Sequence, residues 1–235
     1  MLFSHRTNYL NLLIYFHLIS MSTSDHIQIL PLSSAYRQSV INLLLSSFFI
    51  EEPINERLKF NIPQEVLSWA EYLVDTGIHD QCSFIALDTN SSYQHVIGVI
   101  LNGISIQNQT QPSPHLESEK LKFIMQLIDD LMIGYDLFEL CQTDRLFHSD
   151  VINVDSNYRG LHLSNRLIEV SDEKAKQMGF KGAFVICTSL FSKLAFQRQG
   201  YHVIHERSYT DYGQGFLTDM GLHDRYSLLY KKIDK

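Results

Sequence analysis

The sequence predicts a single mixed α/β domain, and three observations predict it. Two β-prone runs separated by a polar turn make an antiparallel hairpin in the first half of the chain. In the second half the apolar pattern switches from strand to helix to strand to helix to strand, the order of a crossover connection that makes parallel strands. The composition is that of an ordinary globular protein, with 235 residues, 45% of them hydrophobic and 19% charged, enough chain to bury one sizeable core.

Taken in order, residues 26–30 read as a short strand. Residues 34–47 read as a helix with Val40, Leu43, Leu44 and Phe48 on its apolar side. That helix should stop at Glu51-Glu52-Pro53, because the residue before a proline is pushed out of helical geometry. A second helix over 63–76 opens with Pro63 in its first turn and closes at Gly77. Strands over 82–87 and 95–101 form the hairpin around the turn 88–92. Residues 105–115, with Pro112 and Pro114, read as a loop, and 117–135 return to helical spacing through Leu121, Ile124, Met125, Ile128 and Leu131. The crossover half then comprises a strand over 150–155, a helix over 161–178, a strand over 182–187, a helix over 189–198, and strands over 201–206 and 224–231. No internal repeat or low-complexity tract interrupts the series.

Residues 21–235 form the domain, and residues 1–20 stand apart as an extension. Its apolar stretch 10–20 behind Arg6 loosely resembles a secretory leader but is too short to span a bilayer, which takes ~20 apolar residues. Asn11 and His17 interrupt it, no small-residue cleavage site follows, and Met21 offers an alternative start. The expectation is a dispensable extension on a cytoplasmic protein, with secretion the alternative. Asn90-Ser91-Ser92 and Asn108-Gln109-Thr110 fit the glycosylation pattern, which matters only if the chain is secreted.

The formal net charge of −7 and the lack of a basic stripe argue against nucleic acid as a partner. Cys82, Cys141 and Cys187 are odd in number and widely spaced, which suggests neither a disulfide framework nor a zinc site. No metal site, membrane contact or obligatory partner subunit is expected, so the chain is read as a monomer acting on a small molecule. The histidines 202 and 205 have odd spacing, which on a regular strand places them on opposite faces. They read as structural.

The segment of chemical interest runs from Val154 to Ser164. It joins a strongly β-prone run to the start of an amphipathic helix through Gly160. Backbone N–H groups at a helix start lack intrahelical partners and share the positive end of the dipole, which suits a pyrophosphate. On its own the segment fits an ordinary strand-to-helix turn equally well. Triphosphate and dinucleotide loops are excluded, because neither G-x-x-x-x-G-K-[ST] nor G-x-G-x-x-G is present.

The run Asn157-Tyr-Arg-Gly-Leu-His162 resembles the acetyl-CoA signature of the GNAT acetyltransferase superfamily, and Ser192-Lys-Leu-Ala-Phe-Gln-Arg-Gln-Gly-Tyr201 resembles its closing helix. Within that superfamily the chain is most similar to the insect and nematode arylalkylamine (dopamine-like) N-acetyltransferases. Phe48-Phe-Ile-Glu-Glu-Pro-Ile-Asn55, Cys187-Thr-Ser-Leu-Phe-Ser192 and Tyr209-Thr-Asp-Tyr212 carry that likeness, which spans residue 26 to the C-terminus. It implies a central sheet with antiparallel N-terminal strands and a splayed parallel pair in the middle, flanked by helices. It also implies acetyl-CoA as co-substrate, held by Asn153, Val154, Arg159, Gly160, Leu161, His162, Leu163 and Ser164. His162 stands where the signature has Gly or Ala, Asn157 where it has Gln or Arg, and Phe196 where many members carry a tyrosine acid.

The acceptor implied is a small primary amine of the dopamine, tyramine, octopamine or serotonin class. A polyamine or peptide amine is the alternative acceptor, and a CoA-binding module without catalysis the alternative class. An alkylamine arrives protonated at neutral pH and needs a base before it can attack a thioester. Glu52, at the position of the family's catalytic glutamate, is the expected base, set against a plain solvated helix end. Thr188 and Ser192 are implied near the leaving thiolate, their spacing of four placing them on one helical face. A helix cap with an exposed serine explains the same residues. A backbone N–H within 153–155 would meet the oxyanion. Phe48, Phe49 and Tyr212 would line an apolar acceptor slot, unless Phe48 is simply core.

Overall fold

A computed structural model describes residues 26–91, 95–109, 116–212, 215 and 217–233. The readings on residues 1–20, on Pro112 and Pro114, and on Ser92 and Thr110 of the two glycosylation patterns lie outside them. Strand β1 (Ile27–Pro31) leads through a 3₁₀ turn into α1 (Arg37–Leu43), a π turn (Leu44–Phe48) and the short α2 (Phe49–Glu51). After Glu52 a new helix α3 (Pro53–Leu58) begins, followed by α4 (Leu67–His79), β2 (Phe84–Asp88) and β3 (His95–Ile106). Then come α5 (Glu119–Met132), α6 (Leu137–Cys141), β4 (Arg145–Val154), α7 (Leu163–Gln177), β5 (Gly182–Cys187), α8 (Leu190–Arg198), β6 (His202–Ser208) and β7 (Arg225–Lys232).

The strands form one seven-stranded sheet in the order β1-β2-β3-β4-β5-β7-β6. The N-terminal four pair antiparallel, β4 and β5 are parallel, and β7 pairs antiparallel with both β5 and β6. The expected parallel pair is present, whereas the second crossover does not place β6 beside β5, because β7 lies between them. On one face α1 and α4 cover Val99, Leu101 and Val151, and α3, α5 and α6 join Tyr209, Tyr226 and Leu228. The other face carries α7 and α8 on Ile100, Phe147, Val185 and Leu229. Neighbouring residues of β3 thus enter opposite layers, the alternation that a sheet covered on both faces requires.

Four expectations change. The helix after Pro63 starts at Leu67, since residues 61–66 close turns through Glu65 N to Asn61 O and Val66 N to Pro63 O. Gly77 does not end that helix. It lies buried inside α4, where a Cβ would stand 2.7 Å from Ser83 Oγ. Helices α3 and α6 were not foreseen. A register shift between Val203 and His205 pairs His202 with Tyr230 and His205 with Leu228, so both histidines share one face, the bulge undoing the odd spacing.

Candidate active site

Strands β4 and β5 pair only from Phe147 opposite Ala183 to Ser149 opposite Val185. Beyond that both continue without pairing each other, β4 to Val154 and β5 to Cys187. The gap between them leaves backbone groups without a ladder partner, which a ligand can use. Asp155 N–H is not available there, because it donates to Ile97 O at 2.9 Å on the β3 side. Strand alternation turns the neighbouring Val154 N–H to the opposite edge, into the gap. The range 153–155 expected for the oxyanion donor therefore narrows to Val154.

The loop after β4 is held locally. The Asp155 carboxylate accepts from Asn157 N at 2.8 Å, and Tyr158 Oη donates to Asp88 Oδ2 at 2.7 Å. Gly160 takes φ +83°, and a Cβ built there meets nothing within 4 Å. The glycine serves a left-handed backbone, and the space in front of it is open. His162 also adopts a left-handed conformation, φ 57°, at the helix boundary, which an L-residue accepts only singly. Helix α7 begins at Leu163, two residues later than its sequence pattern suggests. The first intrahelical bond is Arg166 N to His162 O, so the amides of Leu163, Ser164 and Asn165 lack intrahelical partners. Leu161 and Leu163 pack inward against Ile27, Ala86 and Ile97, leaving only their backbone for a ligand. Open amides, the space before Gly160 and the Arg159 guanidinium together fit a diphosphate. Arg159 donates to Glu51, the residue preceding Glu52.

Glu52 terminates α2 with an extended backbone, φ −65° and ψ 133°, and caps α3, its Oε2 accepting from Asn55 N at 2.9 Å. Proline at the first position of α3 supplies no N–H and fixes φ, which favours this break and restart. The other oxygen, Oε1, is buried with no hydrogen-bond partner. Burial pushes the carboxyl above its ordinary range, opposed by the Asn55 and Ile54 amides and by the Thr188 hydroxyl. That hydroxyl is near enough to favour the anion without closing a bond on Oε1. Glu52 is thus a helix cap and a desolvated carboxyl at once.

Thr188 comes to Glu52, but it does not share a helical face with Ser192. Ser189, at φ −126° and ψ 151°, is the N-cap of α8, so Thr188 precedes the helix. Ser192 lies in the first turn with its Oγ 2.9 Å from Ser189 Oγ and 3.0 Å from Ser189 O, facing the Cys187 thiol. Phe196 is fully buried, edge-on to Tyr201 at 5.0 Å. Tyr209, not singled out from the sequence as a site residue, completes the cluster. It is fully buried, donates to Thr188 O at 2.7 Å and stacks on Tyr226 at 5.0 Å. Burial, with Glu52 close by, pushes its hydroxyl far above the ordinary range. The only sequence signal for it was its place in the tyrosine-bearing loop.

The three aromatic residues expected in an acceptor slot divide between two clusters. Phe49 is 2% exposed and lies in the core beneath α1 and α4, with half-buried Phe48 edge-on to it at 5.2 Å. Tyr212 packs on Phe123 and Tyr226 and donates to Asp130 Oδ2 at 2.9 Å. Phe60 touches both clusters. Among the described residues no cluster of three His, Cys, Asp or Glu can hold a metal ion. None of their helices is long and apolar enough to cross a membrane.

No family model matches the chain. Its fold is similar to that of arylalkylamine N-acetyltransferase 2 from Aedes aegypti, with a TM-score of 0.78 and 27% identity over 89% of this chain and 100% of that one. A Drosophila melanogaster polyamine N-acetyltransferase that forms N-acetylagmatine matches with a TM-score of 0.70 and 18% identity over 88% and 99% of the two chains. Arabidopsis thaliana NAA60, solved with acetyl-CoA, matches with a TM-score of 0.53 and 17% identity over 88% and 99%. The chain has the GNAT fold and resembles the insect arylalkylamine N-acetyltransferases.

Proposed function

We propose that this GNAT-fold chain is an acetyl-CoA-dependent N-acetyltransferase that acetylates a small primary amine, an arylalkylamine foremost, with Glu52 as general base. The observation that carries the reading is the buried Glu52 carboxyl, with one oxygen fixed as a cap and the other unpartnered, beside the gap between β4 and β5. The loop from Arg159 to Ser164, with the backbone of Asn153 and Val154, holds the diphosphate and pantetheine arm of the acetyl donor. The thioester then lies at the gap.

Glu52 Oε1 takes a proton from the ammonium, and the freed nitrogen attacks the acetyl carbon, forming the C–N bond. The Val154 N–H meets the developing oxyanion. Collapse breaks the C–S bond as the nitrogen releases its second proton to solvent, and the thiolate takes a proton from the Thr188 or Ser192 hydroxyl, which the proton carried by Glu52 then restores. The chain works as a cytoplasmic monomer. Phe48 and Tyr212 bound the acceptor's ring, with Phe49 supporting Phe48 from the core.

The likeness to an arylalkylamine enzyme at 27% identity supports this acceptor over others. A polyamine acceptor is favoured by one observation, the adjacent Asp129 and Asp130 on α5 beside Tyr212, where burial raises the Asp129 carboxyl. A thiol-release assay over tyramine, dopamine, serotonin, agmatine and putrescine tests both. Tyramine-class amines should turn over fastest, and Glu52→Gln should lose ~10²- to 10⁴-fold, the usual contribution of a positioned base. Unchanged turnover in that variant removes Glu52 from the mechanism. No turnover by the parent chain on any amine leaves a CoA-binding module.

A further inference from the structure

Among the described residues four buried side-chain atoms have no hydrogen-bond partner: Glu52 Oε1, Asn153 Nδ2, Asn165 Oδ1 and Tyr226 Oη. The first two belong to one place. Asn153 Oδ1 accepts from Ser47 Oγ at 3.2 Å, and Ser47 sits in the π turn that runs into α2 and Glu52. Asn55, whose amide holds Glu52, donates its Nδ2 to Phe48 O in the same turn at 3.2 Å. An acceptor and a donor are therefore buried and unmet around one turn of chain. Leaving such a group unpaired is costly, and most buried polar groups are paired. Two unmet groups of opposite kind match a ligand offering one N–H and one oxygen, which is what the tetrahedral intermediate of acetyl transfer presents.

Asn153 lies on β4 beyond the last residue paired with β5, and its side chain leaves the sheet on the face covered by α1. It adjoins Val154, whose N–H points into the gap. Resting on the acetyl-transfer reading, we propose that the Asn153 side-chain amide is a second oxyanion donor. Its Nδ2 donates to the carbonyl oxygen of the acetyl group alongside Val154 N–H, and Ser47 is the positioning residue that fixes the rotation of the amide. The role assigned to Asn153 from the sequence was in cofactor binding. The side chain acts instead on the atom that becomes charged.

The test begins with acetyl-CoA carrying ¹³C at the thioester carbonyl, bound to the intact chain and read by calorimetry and infrared difference spectroscopy. Absence of binding overturns the acetyl-transfer reading itself. Where it binds, a hydrogen bond to the carbonyl lowers its stretching frequency, and Asn153→Ala should move the band back toward that of free acetyl-CoA. The same variant should lose at least tenfold in kcat, toward the ~10²- to 10³-fold typical of a lost oxyanion donor, with KM for acetyl-CoA within about twofold. Asn153→Asp, which offers no donor when ionised, should behave like the alanine variant. Ser47→Ala keeps the amide but frees it, and should broaden the band and lower kcat about three- to tenfold if rotation is what Ser47 controls; this variant decides the matter should Asn153→Ala not fold. A parental band and kcat in both Asn153→Ala and Ser47→Ala overturn the proposal. Activity retained by Asn153→Asp but lost in Asn153→Ala also overturns it, because the side chain would then be an acceptor for the amine.

Discussion

At the scale of single residues, the two carboxyl oxygens of Glu52 live in different surroundings, and the proposed reaction gives the unpartnered one the proton transfer. Only the ionised form can accept a proton from the substrate, and burial raises the pH at which that form appears. The rate under kcat/KM conditions should therefore fall as pH drops through a pKa above the ordinary glutamate range, and this acid limb should vanish in the residual activity of Glu52→Gln. The same shift bears on stability. A carboxyl whose folded pKa is raised contributes most below its unfolded pKa, and the contribution is lost as pH rises through the folded value. Stability therefore falls with rising pH across the interval between the unfolded and the raised folded pKa, and Glu52→Gln, which can still accept from Asn55 N, should show a smaller fall in melting temperature over that interval. The sequence made Glu52 legible through the following proline and through family likeness. Tyr209 was not legible as a neighbour of Glu52, because it reaches the site across a distant connection and only the folded chain shows its bond to Thr188.

At the scale of elements, local signals read well where a segment was bounded on both sides. Strand β5 has the limits expected, since Gly182 opens it and the Ser189 cap closes the connection to α8. Gly77 was misread because a glycine near the end of an apolar period normally marks a stop. Here it marks a close approach between α4 and the chain leading into β2. Alanine at this position would gain up to ~1 kcal/mol in helix propensity. It would also drive a Cβ to 2.7 Å from Ser83 Oγ and 3.3 Å from Leu101. Ser83 Oγ exchanges hydrogen bonds with Asn102 N and O, and Asn102 in turn binds Cys82 O, Ser171 and Ser149. Overpacking typically costs ~1–3 kcal/mol, so the steric term should win. Urea denaturation of Gly77→Ala should show a net loss of roughly 1–2 kcal/mol with little change in slope. No sequence pattern announced Asn102, a polar residue inside an apolar run, because its four partners come from three separate segments.

At the scale of the whole molecule, the antiparallel N-terminal strands and the split parallel pair β4 and β5 agree with expectation, while the place of β7 does not. Pairing between distant segments leaves no trace in periodicity, so the insertion of β7 between β5 and β6 could not be read from spacing. In the proposed site the cofactor lies at the gap and braces two halves of the sheet. Acetyl-CoA at one hundred times its dissociation constant should therefore raise unfolding free energy by about 2.7 kcal/mol, visible as a concentration-dependent rise in melting temperature. A flat melting temperature across that range would mean that the loop after β4 does not hold the ligand.

The position of β7 also governs how the chain is made. Among the described residues β6 pairs with β7 alone, and β5 keeps one edge bare until Arg225–Lys232 is in place. Strand pairing in the C-terminal half thus becomes a late event that reaches back over nearly finished chain, and folding rates fall as such contacts lengthen. A chain truncated before Arg225 should present two sticky edges to chaperones and proteases, whereas one carried through Lys232 can zip both at once.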